Sequence, residues 1–188
     1  MMLRDKRKLL FYVCLVFICG CSGGVKHYSR PHTDVKHIKS IAVLPFENYT
    51  TDGYADEKIG SITGIELLSR GIDVTEPGEV GRVLQEMRVS SLKALTPSDI
   101  QEIGEALKVD GIMGGSVSVY QISRGISVSY PEVSVYLTLY ESATGKVLWS
   151  TWHTSGGPGF WTRHFGAEIA TLGEVSRNVI KEAFDNLF

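Results

Sequence analysis

The 188-residue sequence has three cysteines, Cys14, Cys19 and Cys21, and none from Ser22 to Phe188. That absence excludes a disulfide framework, a cysteine nucleophile and a thiolate metal site from the folded part, whose stability must come from packing. Long apolar runs are equally scarce. The run Leu9–Cys21 is about a dozen apolar residues, short of the roughly 20 that a spanning helix needs. Signatures of common chemistry are missing too: there is no Gly-x-Ser-x-Gly elbow, no Walker loop and no dinucleotide fingerprint. Charge of one sign is not in large excess, with 19 Lys and Arg against 21 Asp and Glu. The expectation is a protein without catalytic residues, cofactor or metal.

What is present begins at the N-terminus. Arg4, Lys6, Arg7 and Lys8 precede the short apolar run, which leaves through Ile18-Cys19-Gly20-Cys21. A charged start, a short apolar middle and a small-residue exit make a secretory signal peptide rather than a membrane span. The exit also resembles a bacterial lipobox. Cleavage between Gly20 and Cys21 would leave Cys21 as an acylated N-terminus, inserted in membrane lipid. Ser22, where an Asp would suit inner-membrane retention, points to the outer membrane, with the domain in the periplasm. Removing residues 1–20 takes away four basic residues and one acidic one, so the remaining charge is (19 − 4) − (21 − 1) = −5. An acidic surface disfavours nucleic acid as a partner. Residues 21–38 are polar with Gly and Pro and read as a flexible tether; residues 39–188 read as one domain.

Ser40–Phe46 is a continuous apolar run, the pattern of a strand buried on both faces. Tyr54–Arg70 carries Ile59, Ile62, Ile65, Leu67 and Leu68 at helical spacing, with Gly71 as a C-cap. A short strand, Ile72–Thr75, leads to a helix from Pro77 with Val80, Val83, Leu84 and Met87 inward. Thr96 or Ser98 caps a third helix, with Ile100, Ile103, Ala106 and Leu107 inward. From Val109 the period changes to two. Val117, Val119 and Ile122 fall on one side. Val133, Val135, Leu137 and Leu139 alternate with Ser134, Tyr136, Thr138 and Tyr140, and a turn at 143–146 leads to the strand Val147–His153. Ile169, Leu172, Val175, Val179, Ile180, Ala183, Phe184 and Leu187 make a closing helix. The expected fold class is α/β: a three-layer-type sandwich on a mixed sheet, βαβαα, then three antiparallel strands and a C-terminal helix.

Candidate sites are few. The loop 155–165 carries Phe160, Trp161, Arg163 and Phe165, a set suited to a protein interface or the membrane–water boundary. The same aromatics would equally serve to staple the last helix to the core. Tyr120, Tyr136, Tyr140 and Trp152 make an aromatic sheet face, to be covered by a helix or by a partner. Gly60 and Gly64 lie within a helix and suit close packing rather than phosphate. Asp52, Asp56 and Glu57 cluster at a helix start, where the dipole favours carboxylates. His27, His32 and His37 recur every five residues, a spacing that fits no zinc loop, and His153 and His164 have no acidic neighbour in sequence.

Taken in order, the lipobox, IAVLPFEN (41–48), GIDVTEPGEVGRVLQEM (71–87), IGEALKVDGIMGGSVSVY (103–120) and VSVYLTLYESATGKVLWS (133–150) resemble the curli secretion (CsgG) superfamily, from about Ile41 to Trp152. That superfamily includes PelC-like, FlgO-like and TolB N-terminal-domain-like members. The resemblance implies a periplasmic α/β domain, lipid-anchored in the outer membrane and forming homo-oligomers, frequently rings, that work with other secretion or surface-assembly proteins. It does not imply an enzyme. Curli channel subunits carry long extra hairpins between the positions of Gly115 and Tyr136, which this chain lacks, so the PelC-like, non-pore variant fits better. The other reading is an adaptor lipoprotein that binds a glycan or peptide without forming a ring.

Overall fold

Ile41 and Ala42 are adjacent and fully buried, and because successive strand residues point to opposite faces, their strand must be covered on both sides. The computed structural model, which describes residues 26–31, 35–89, 91–124, 129–156, 170–185 and 187, shows how. In chain order the elements are β1 (Lys26–Ser29), β2 (Ser40–Val43), β3 (Glu47–Asn48), α1 (Ala55–Ser69), β4 (Asp73–Val74), α2 (Pro77–Glu86), α3 (Pro97–Leu107), β5 (Gly111–Arg124), β6 (Ser129–Glu141), β7 (Val147–Gly156) and α4 (Leu172–Phe184).

The strands form one mixed, open sheet in the order β1-β7-β6-β5-β2-β4, with β3 added alongside β5. β2 runs parallel to β4 and to β5, and β3 is also parallel to β5. β5, β6, β7 and β1 form the antiparallel half. Two cores result. Under α1 and α4, Ile41, Ile59, Leu67, Met113, Leu137, Trp149, Val179 and Phe184 pack together. On the other face, under α2 and α3, Ala42, Leu44, Val80, Val83, Ile100, Ile103 and Ile112 pack together. The parallel half is therefore a three-layer sandwich, and among the described residues the antiparallel half has helices on one face.

Local signals place the helices as the sequence predicts. Thr96 caps α3 in a reciprocal box with Asp99, and Thr171 caps α4 in the same way with Glu174. Gly71, just past α1, has φ +79°, the left-handed turn that a glycine makes without cost.

Four local readings need correction. Lys26–Ser29, inside the stretch read as a tether, is an edge strand paired with Trp149–Trp152 of β7; four residues between polar neighbours carry too little periodicity to betray a strand. Ile65 and Leu68 of α1 are 66 % and 55 % exposed, because the buried stripe runs through Ala55, Ile59, Thr63 and Leu67. Ala106 of α3 points out, and Gly104 faces in. Finally, Ser118 is a bulge: Val117 pairs with Val135 and Val119 with Ser134. One extra residue reverses the alternation, so Val119 leaves the side of Val117 and Tyr120 takes its place, opposite Val133.

Candidate functional site

The antiparallel half is where a surface is left to use. Across from α1 and α4, no helix among the described residues lies over Tyr136, Trp152 and Tyr28 on the outer side of β6, β7 and β1, where they are 47 %, 63 % and 50 % exposed. Tyr136 and Trp152 are directly opposed across β6 and β7, the distance at which cross-strand aromatics touch. Tyr28 on β1 is opposite Ser150, one pleat along from Trp152.

These rings stand on a bed of hydroxyls. The indole Nε1 of Trp152 donates to Ser134 Oγ at 2.7 Å, and Ser134 Oγ shares a hydrogen bond with Thr154 Oγ1 at 2.8 Å. One pleat further, Thr138 Oγ1 and Ser150 Oγ are 3.2 Å apart, and Ser150 also donates to the Leu137 carbonyl. The network fixes the tilt of Trp152 and explains why Ser134 and Thr138 are buried on a face without helices. Toward the parallel half, Tyr140 is half-buried beside Leu92 and Leu95, and burial, with Tyr136 nearby, raises its phenol above the ordinary value. A small cavity of about 170 Å³ lies there, between Lys93, Gly114, Tyr136 and Tyr140.

Of the aromatic face read from the sequence, Tyr136 and Trp152 are together, Tyr140 is at its covered margin, and Tyr120 is absent. The bulge at Ser118 sends Tyr120 to the helix side, where it is buried and Lys58 Nζ stands 5.1 Å from its ring centroid. Tyr28 joins from the strand that sequence patterning missed. Gly20, Cys21, Phe160, Trp161, Arg163 and Phe165, with His32 and His164, lie outside the described residues.

The remaining candidates are structural. Asp52 accepts the Tyr54 N–H and pairs with Lys58 Nζ at 2.9 Å, and that Lys58 hydrogen bond, then the Tyr54 one, holds the carboxyl below its ordinary range. Asp56 accepts from Asn48 Nδ2. An added Cβ at Gly60 would meet nothing within 4 Å, and one at Gly64 only Val74, at 3.9 Å, so neither glycine serves close packing. His153 does have an acidic partner: its Nε2 is 2.6 Å from Glu182 Oε2 on α4. The two are 29 positions apart, beyond the reach of a motif. Among the described residues no group of three or more His, Cys, Asp or Glu is placed to hold a metal ion, and no helix is long and apolar enough to cross a membrane.

No protein-family model and no curated protein sequence matches the chain. Solved structures do. A PelC dodecamer from Paraburkholderia phytofirmans is 22% identical over 88% of this chain and 98% of its own, with a TM-score of 0.61. A single-substitution variant of the same PelC, also a dodecamer, is 23% identical over 86% and 96%, with a TM-score of 0.59. Lipoprotein GNA1162 from Neisseria meningitidis is 23% identical over 63% and 82%, with a TM-score of 0.53. At these identities the likeness is one of fold: the chain has the PelC-like α/β fold.

Proposed function

We propose that the chain is an outer-membrane lipoprotein, anchored through Cys21 after cleavage at Gly20, whose domain faces the periplasm. There, copies associate into a ring that serves as a structural part of a secretion or surface-assembly apparatus. The observation that carries this reading is the fold match, which runs through 98% of a PelC chain that itself assembles as a dodecamer.

The surface supports it. A ring needs a heterologous contact, two different patches on each subunit. The exposed rings of Tyr28, Tyr136 and Trp152 lie on one side of the sheet, and the exposed Ile65 and Leu68 of α1 lie on the other. Patches on opposed sides suit a ring of many members, where each subunit turns only slightly from the last. Phe160, Trp161, Arg163 and Phe165, in the sequence between β7 and α4, are proposed as a further partner or membrane contact. The reading includes no catalytic step. A surface of aromatics and neutral hydroxyls also suits a glycan, which keeps the adaptor as the competing reading.

The test is the mass of the full chain, purified in detergent, by size-exclusion chromatography with light scattering. A discrete closed assembly supports the ring. A monomer at all concentrations would overturn it and leave the adaptor.

A further inference from the structure

The edge strand β1 shortens the link between lipid and domain. Because β1 begins at Lys26, only residues 22–25 separate the fold from Cys21. Five Cα steps, fully extended, span at most about 18 Å. Lys26 lies opposite Trp152, and β1 is antiparallel to β7. The chain therefore enters β1 from the side on which β7 ends.

The sheet itself continues far in that direction. Antiparallel pairing puts Lys26, Trp152 and Tyr136 at one level. Beyond that level β7 ends at Gly156, opposite Glu132, and β6 begins at Ser129, opposite Arg124 of β5. Ser129 is seven positions from Tyr136, about 23 Å of strand. The β5–β6 end thus projects further from Lys26 than the tether reaches. With Cys21 held in lipid and the chain entering β1 from this side, that end meets the membrane surface.

The chemistry of the two ends of the sheet agrees with this direction. Ile122 is 57 % exposed and Arg124 is exposed, both on one side of β5 because they are two apart. Tyr130, opposite Ser123, is partly exposed. Among the described residues of this end, 121–124 and 129–132, the one carboxylate is Glu132, and it accepts the Ser123 hydroxyl at 2.6 Å. A cation beside an aliphatic side chain and a tyrosine suits phosphate headgroups lying over acyl chains. At the opposite end Glu102, Glu105, Asp110 and Glu141 line one hollow, a set of carboxylates that anionic headgroups repel.

We infer that the β5–β6 end of the sheet docks, through Ile122 and Arg124, on the phospholipid headgroups of the membrane that holds Cys21. The inference rests on the lipoprotein reading and adds the orientation of the domain to it. The strands then stand along the membrane normal. The open face with Tyr136 and Trp152 turns sideways, toward neighbouring copies of the chain.

The test uses the full, acylated chain in vesicles of phosphatidylethanolamine and phosphatidylglycerol, with a nitroxide on a fraction of the headgroups. The sequence has no cysteine after Cys21, so a thiol-reactive fluorophore can be placed on Ser129→Cys or on Ala143→Cys, both exposed positions. The length of β6, about 40 Å of strand, lies between them. The expected result is a strong loss of emission from position 129 and little loss from position 143. Adding Ile122→Ser/Arg124→Gln to the Ser129→Cys chain should restore most of the lost emission at an unchanged melting temperature, because both side chains are exposed. Failure of the chain to float with the vesicles would overturn the lipoprotein reading and the inference with it. Flotation with equal quenching at both positions, or undiminished quenching in the combined variant, would overturn the inference alone.

Discussion

Trp152→Ala separates an assembly surface from a merely exposed one. In the monomer the indole gives up one hydrogen bond, Nε1 to Ser134, worth about 1 kcal/mol. Ser134 keeps Thr154 as a partner, so no buried group is orphaned, and the melting temperature should fall by only a few degrees, the shift expected for about 1 kcal/mol in a domain of this size. In an assembly the loss is larger. A tryptophan offers about 200 Å² or more, and with 63 % of it free in the monomer about 130–150 Å² remains to be buried. At about 25 cal/mol/Å² that is about 3 kcal/mol, discounted to about 2 for ordering at the interface, or roughly thirtyfold in the subunit dissociation constant. Phe184→Ala is the contrast. Phe184 is fully buried, its ring 6.1 Å from that of Trp149, and its truncation should cost about 3–5 kcal/mol of fold stability. Light scattering across a dilution series, paired with thermal unfolding, reads both quantities. If Trp152→Ala dissociates no more readily than the parent protein, the open sheet face is not the contact between copies.

Two further predictions concern the anchor and acid stability. Cys21→Ser should remain unacylated and leave the membrane fraction, because a pair or more of acyl chains is what makes such anchoring stable; full retention in the membrane pellet would mean that another element inserts. Asp99, Glu174 and Asp110 are all held below their ordinary range, chiefly by backbone N–H groups of Thr96, Thr171 and Lys39 respectively. A carboxyl whose folded pKa is below its unfolded one contributes fully above the unfolded value, about 4, and loses that contribution as pH falls through the folded value. The urea midpoint should therefore hold above about pH 5 and decline in acid, and Asp99→Asn/Glu174→Gln should decline less steeply; an identical acid limb would refute the assignment.

The order of elements was legible because helices and strands announce themselves by period. Thr96 and Asp99 mark the start of α3, and Val133, Val135, Leu137 and Leu139 are all fully buried, as their alternation predicts. What escaped was set by single residues or by distance. The bulge at Ser118 leaves no mark in a run of Ser and Val, yet it moves Tyr120 to the opposite face. The pairs His153–Glu182 and Gly104–Ser142 join residues 29 and 38 positions apart, with no pattern between them. α1 looked more deeply buried than it is because Ile65 and Leu68, though apolar, lie off the buried stripe of Ala55, Ile59, Thr63 and Leu67.

The division of the sheet accounts for where such surplus apolar residues can sit. The parallel strands β2 and β4 are reached by crossovers, so helices come to lie on both faces, and Ile41 and Ala42 can both be apolar and buried. The antiparallel strands β5, β6 and β7 are joined by short connections at their paired ends and need no helix on their second face. That face instead carries the Ser134–Thr154 and Thr138–Ser150 hydroxyl pairs, which hydrogen-bond to each other across β6 and β7. Trp152 is thereby held in place through its bond to Ser134, with Tyr136 directly opposite it on β6. Little conformational freedom is then left to lose on contact, and preorganised aromatics of this kind are the residues that carry most of the energy of an interface. The same strands that end the fold's need for helices thus supply the surface through which copies of the chain are proposed to meet.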